Sequence, residues 1–218
     1  MFGDQVITSF RGPLNVPVEV HSSYLFLVVL ILVFTLGNIV FGIIFLCMLT
    51  LSIFLHEFGH AWASKAQGVP VRRVVIHGGG GFCETGGRPT PRQQEFIVAM
   101  GPVVNLILWA VSSGALELGV FSENAIGASI LQGFSILNLF LFIFNLLPML
   151  PLDGGRLTQL VLLRVVQPIQ ATRISGLIAL LTGALWVPAA IFLLLTFGFI
   201  LVFIPNFQLY YQMWKAGR

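Results

Sequence analysis

The stretch Leu55-His56-Glu57-Phe58-Gly59-His60 decides how the rest of the chain is read. It has the pattern H-E-x-x-H and lies near the end of a long apolar run. On a helix, residues i and i+4 share one face, so His56 and His60 can bind one metal ion. Glu57 stands between them and can act as general base toward a water at that ion.

Outward from this stretch, no charged residue occurs from Ser22 to Leu55. The chain as a whole has 218 residues, of which 57% are hydrophobic and only 9% charged. Its mean hydropathy is +0.96. A soluble domain carries about 25% charged residues, so this chain lacks the polar surface to cover a water-soluble globule. The composition predicts an all-α polytopic membrane protein with six transmembrane helices.

The apolar run around the metal motif is too long for one crossing of about 20 residues, and Gly37-Asn38 is the natural turn inside it. The expected spans are 22–36, 41–66, 96–116, 129–146, 174–186 and 189–205, the last two separated by a turn at Val187-Pro188. Residues 1–21, rich in turn formers, are expected at the membrane interface, with the membrane domain covering 22–212. Residues 69–95 are expected to form a short β-hairpin or re-entrant segment between spans 2 and 3. Within it, Gly79, Gly80, Gly81 and Phe82 read either as a flexible turn or as an edge strand that accepts a substrate strand. The fourth span meets Pro148, Pro151, Asp153, Gly154 and Gly155, a backbone break of the kind tolerated at membrane depth only where it is buried or lines a cavity. The aromatic tail with Phe207, Tyr210, Tyr211 and Trp214 reads as an interfacial belt.

With six spans, all 11 basic residues fall on one side, which is then cytoplasmic and holds both termini. The net charge of +3 is therefore topogenic, and no nucleic-acid partner is expected. Cys47 and Cys83 show no disulfide or C-x-x-C pattern. Residues 1–20 do not resemble a signal peptide.

Ionisable groups in apolar spans are costly, and here they are His56, Glu57, His60 and Asp153. Two imidazoles and the Asp153 carboxylate make three ligands and leave a fourth position open, the arrangement of a catalytic zinc site. Asp153 could otherwise cap the helix that follows it. Asn145 and Asn105 each read either as helix-packing amides or as groups that bind substrate or a developing oxyanion. His21 and His77 read as interfacial or loop histidines.

These motifs resemble the site-2 protease family, the intramembrane zinc metalloproteases. The likeness rests on His56-Glu57-Phe58-Gly59-His60, Gly101-Pro102-Val103-Val104-Asn105 and the segment from Asn145 through Pro148 and Pro151 to Asp153-Gly154-Gly155. It implies one zinc ion per chain held by His56, His60 and Asp153, with Glu57 as general base and Asn145 contacting substrate. It implies membrane-spanning or membrane-associated protein substrates in a bacterial or archaeal cell membrane. The six-span size is similar to the sporulation-type branch, and neither a PDZ insertion nor a nucleotide-sensing CBS domain is expected. Two other classes fit the ligands: a divalent-metal transporter, which leaves Glu57 without a distinct role, and an inactive membrane scaffold, which has no need of all four groups. An oligomer is compatible with the sequence, which carries no signal for it.

Overall fold

The metal motif lies on α2 (Ile39–Ala66). Asn38 starts this helix, its side chain accepting from the Phe41 N–H at 3.1 Å. Gly68 ends it with φ of 71°, a left-handed conformation that costs glycine little, and Pro70 prevents resumption. At 1.5 Å per residue, such a helix is about 42 Å long and exceeds a hydrocarbon core of about 30 Å. The preceding helix α1 (Ser23–Phe34) has 12 residues, about 18 Å, and the expected turn at Gly37-Asn38 separates the two.

The computed structural model describes residues 4–197 and 203–217, which fall into two compact units, 1–142 and 143–218. In the first unit, α3 (Pro91–Glu117) begins with a capping box between Thr90 and Gln93 and with Pro91 in its first turn. The helix thus starts five residues before the expected span, because its polar first turn lies outside the apolar run. α2 and α3 approach closely at Gly59, where a Cβ would lie 2.6 Å from the Met100 carbonyl oxygen. α4 (Ala125–Asn145) follows a turn in which Asn124 accepts from the Gly127 N–H.

A four-stranded sheet packs beside α2, with strand order β1 (Val6–Arg11), β2 (Pro17–His21), β3 (Val71–His77) and β4 (Gly80–Thr85). β1–β2 and β3–β4 are antiparallel, and β2 runs parallel to β3 with Val18 opposite Val74. The all-α expectation is corrected here. The 69–95 hairpin exists, and residues 6–21, which the sequence reads only as turn-rich, extend it into a four-stranded sheet. The cause is burial: Val16 and Val18 pack with Val74, Ile76, Phe58 and Ala61 in one apolar cluster. Arg73 ties three strands together, bonding Glu19 on β2 and Glu84 on β4, each at 2.7 Å. Hydrogen bonds from Arg73 and Arg72 hold the Glu84 carboxyl below its ordinary range.

In the second unit, a turn-rich segment leads into α5 (Asp153–Leu162), followed by α6 (Pro168–Phe197) and α7 (Phe207–Lys215). α6 is continuous through Val187-Pro188, so the turn expected there is absent. A proline removes one helical hydrogen bond but does not end a helix whose side chains lie in apolar surroundings. The expected sixth span, 189–205, is partly the end of α6 and partly outside the described residues. Among the described residues, four helices (α2, α3, α4 and α6) are long and apolar enough to cross a membrane, and α1 is shorter. This establishes a polytopic membrane protein.

α7 runs back along α6. Gly176 touches the backbone of Tyr210 and Trp214, and Gly217 lies against Ile169. The tail is therefore not an interfacial belt as a whole. Tyr210 is fully buried with Met149, Leu152 and Ala179, and its hydroxyl donates to the Leu150 carbonyl. Tyr211 stays exposed, with the Lys215 ammonium 4.7 Å from its ring centre.

Candidate metal centre

Ser52, His56 and His60 repeat every four residues on α2 and are all buried. On α3, Ile97, Gly101 and Asn105 repeat at the same interval and are also buried. The two stripes meet at the histidines. His56 Nδ1 bonds Asn105 Oδ1 at 2.6 Å, and His60 Nδ1 donates to the Ile97 carbonyl at 2.8 Å. Pro102, in the next turn, lacks the N–H that would bind the Val98 carbonyl, which loosens the helical ladder there.

With both Nδ1 atoms engaged by acceptors, each ring presents the lone pair of its Nε2. The two Nε2 atoms face each other at 3.2 Å. Two such lone pairs repel unless a cation lies between them. Nitrogens about 2.0–2.1 Å from a tetrahedral zinc ion would be about 3.3 Å apart, so the pair fits that ion. Gly101 keeps the place open: a Cβ there would lie 2.3 Å from His60 Nε2 and 2.6 Å from His56 Nε2.

Glu57 is buried and lies beside β4, where a Cβ on Gly81 would come within 2.7 Å of its Cγ. β4 is an edge strand of the sheet, so Gly80, Gly81 and Phe82 belong to an edge and Gly79 to the turn before it. Burial, and then the charge of Glu57, push the Cys83 thiol up to about 12, so Cys83 remains an uncharged thiol.

Asp153 occupies the first turn of α5, and the helix has Leu152 rather than Asp153 as its N-cap, with no side-chain cap bond. The helix start is pressed against the preceding backbone, since a Cβ on Gly154 would lie 2.2 Å from the Leu146 oxygen and one on Gly155 within 2.5 Å of Met149 carbonyl carbon. Asp153 is buried. His56 and His60 in the first unit and the buried Asp153 in the second each offer a side-chain atom of the kind that ligates a metal ion.

Both ends of the Asn105 amide are engaged inside the protein, between α2 and α4. Its Oδ1 faces His56, and its Nδ2 donates to Asn138 Oδ1 at 2.9 Å. Asn145 ends α4 and is partly buried. His21 pairs with Asp4 and Glu19, each at 3.4 Å, and the His77 ring lies tilted beside Phe82, so neither joins the candidate metal group. Ser52 and Asn138 were missed. The signal available was a polar side chain inside an apolar run, with Ser52 one turn before His56.

The profile of Peptidase family M50 matches residues 44–122 and 119–189, which include both histidines, Glu57 and Asp153. The chain belongs to peptidase family M50. Among family M50 relatives, it is 31% identical over 164 residues to Zinc metalloprotease MJ0392 of Methanocaldococcus jannaschii, covering 75% of this chain and 48% of that protein. It is 37% identical over 145 residues to Putative zinc metalloprotease Rip3 of Mycobacterium tuberculosis, covering 63% and 37%. Stage IV sporulation protein FB of Bacillus subtilis is 32% identical over 115 residues, covering 51% and 38%. The chain thus spans about half the length of the first of these relatives, or less of the others. A solved structure, Site-2 Protease from Methanocaldococcus jannaschii, matches with a TM-score of 0.66 at 26% identity, covering 97% of this chain and 95% of that one.

Proposed function

We propose that this chain is an intramembrane zinc endopeptidase, hydrolysing peptide bonds of membrane-spanning or membrane-associated proteins. The observation that carries this reading is the facing pair of Nε2 atoms on His56 and His60, 3.2 Å apart, with buried Glu57 between them in sequence. His56, His60 and Asp153 would hold one zinc ion. When bound, zinc supplies Lewis acidity that lowers the pKa of a ligated water toward about 7 and polarises a carbonyl. Glu57 takes the proton of the attacking water and delivers it to the leaving amine. A metal transit site would use the three ligands but leaves a buried carboxylate beside β4 without work.

A peptide bond in a membrane helix is closed off by its own hydrogen bonds, so substrate must unwind before it is attacked. The edge strand β4 beside Glu57 supports binding of an extended substrate as an added strand, with Gly79, Gly80 and Gly81 offering backbone and no side-chain obstruction. Asn145 is assigned to the substrate backbone. The N-terminal strands and the 69–95 segment share one sheet and carry Arg11, Arg72, Arg73, Arg88 and Arg92, and this side is assigned to the cytoplasm.

Glu57→Gln tests the proposal: the purified variant should keep its zinc and lose cleavage of a membrane-protein substrate. Full cleavage by that variant, or zinc flux into proteoliposomes abolished by His56→Ala, would overturn it.

A further inference from the structure

A line of buried amides runs from α4 through α3 to the metal histidine on α2. Asn138 Nδ2 donates to the Phe134 carbonyl at 2.9 Å and to Ser52 Oγ at 3.0 Å. Asn138 Oδ1 accepts from Asn105 Nδ2 at 2.9 Å, and Asn105 Oδ1 faces His56 Nδ1 at 2.6 Å. Ser52, Asn105 and Asn138 are fully buried. No water is needed to close the line.

Its polarity is set at the far end. A backbone carbonyl can only accept, so the Asn138 edge against Phe134 must be the NH2 edge. The opposite edge is then oxygen, which obliges Asn105 to turn its own NH2 group toward Asn138. Asn105 therefore presents oxygen to His56, and His56 must carry its ring proton on Nδ1. That leaves the Nε2 lone pair for a ligand. Without Asn138, the Asn105 amide could rotate by half a turn and present NH2 to His56. The proton would then sit on Nε2, the atom that faces His60. His60 has no such freedom, because its Nδ1 is held directly by the Ile97 carbonyl.

We infer that Asn138 is a positioning residue for the metal centre: acting through Asn105, it fixes the tautomer in which His56 offers Nε2 to the metal. This rests on the zinc reading above, and it deepens that reading by placing a determinant of metal affinity on α4, in a residue that is not itself a ligand. Ser52 contributes as the second acceptor that anchors the Asn138 amide.

The test is a double-mutant cycle on the purified chain, with zinc affinity measured by competition against a chromophoric chelator. Asn138→Leu should weaken zinc binding about tenfold, the lower end of what loss of groups behind a ligand costs. In an Asn105→Asp background the same substitution should change affinity less than twofold, because both carboxylate oxygens can only accept. Unchanged affinity in Asn138→Leu, or an equal loss in both backgrounds, would overturn the inference and leave the zinc site standing. No zinc binding by the wild type would instead remove the zinc reading. Nitrogen NMR of histidine in the metal-free wild type provides a test that needs no variant. The His56 proton should be on Nδ1, and a proton on Nε2 would refute the proposal even if Asn138→Leu failed to fold.

Discussion

The two regions that supply the candidate ligands achieve precision by different means. Around α2 and α3, the ligand side chains sit on regular helices and are aimed by hydrogen bonds, with each Nδ1 held by its own acceptor. Around residues 146–155, the backbone itself is shaped, and Asp153 is aimed by where α5 begins. There the glycines after Asp153 let the helix start press against the Leu146 and Met149 backbone, and Tyr210 holds the Leu150 carbonyl. Damage should therefore read out differently: lost metal with an intact fold in the first region, lost fold together with lost metal in the second.

The largest effect should come from Gly101→Ala. The added methyl would occupy the space between the two Nε2 atoms, so zinc affinity should fall at least a hundredfold. Alanine is the better helix former by about 1 kcal/mol, and the imidazoles can swing aside, so the melting temperature of the metal-free protein should not drop. A lowered melting temperature with normal zinc would break the comparison. Gly154→Ala should do the opposite in the second unit. Its Cβ meets backbone that cannot swing away, so stability should fall by about 1–3 kcal/mol as overpacking does, with zinc lost alongside. Thermal unfolding with and without zinc distinguishes the two glycines.

Tyr210→Phe sharpens the same contrast on a smaller scale. It leaves a buried carbonyl without its donor and should cost about 1–2 kcal/mol, with a weaker effect on zinc than Gly154→Ala. The smallest effect lies away from both regions. Asp4 accepts from the Ser23 N–H and from the hydroxyls of Ser22 and Ser23, which hold its carboxyl down to about 2 from 3.8. A folded-state pKa below the unfolded value contributes stability above that unfolded value and loses it as pH falls through about 2. The protection factor of the Ser23 amide, its exchange rate relative to an unstructured peptide at the same pH, should therefore fall between about pH 4 and 2 and stay constant above that window.

Much of the candidate metal centre was legible because its signals are local or chemically rare. His56, Glu57 and His60 lie within one helical turn, and Asp153 is a carboxylate at a break in an apolar segment. The strand at Pro17–His21 was not legible, because its reason is pairing with residues more than fifty positions away, and Val6–Arg11 pairs in turn with that strand. Pro17 starts β2, where a proline is tolerated, but in sequence it reads only as a breaker. Val187-Pro188 misled for the related reason that a proline marks a weakened hydrogen bond and not the direction the chain takes afterwards. Tyr210 looked interfacial because its amphipathic ring suits an interface equally well as a buried site with one carbonyl to bond.

The sequence by itself determined a membrane solvent, through the scarcity of charge, and a metal chemistry, through the four-residue spacing of two histidines around a glutamate. Both follow from composition and helix period, which need no knowledge of distant contacts. Only the tertiary structure decided that residues 6–21 join the sheet beside Glu57. It alone decided that Gly101 is the open floor beneath the two imidazoles, and that Asn105 bonds His56 and Asn138. Those outcomes depend on which surfaces meet, and a buried amide takes its role from the group it must satisfy rather than from its neighbours in the chain.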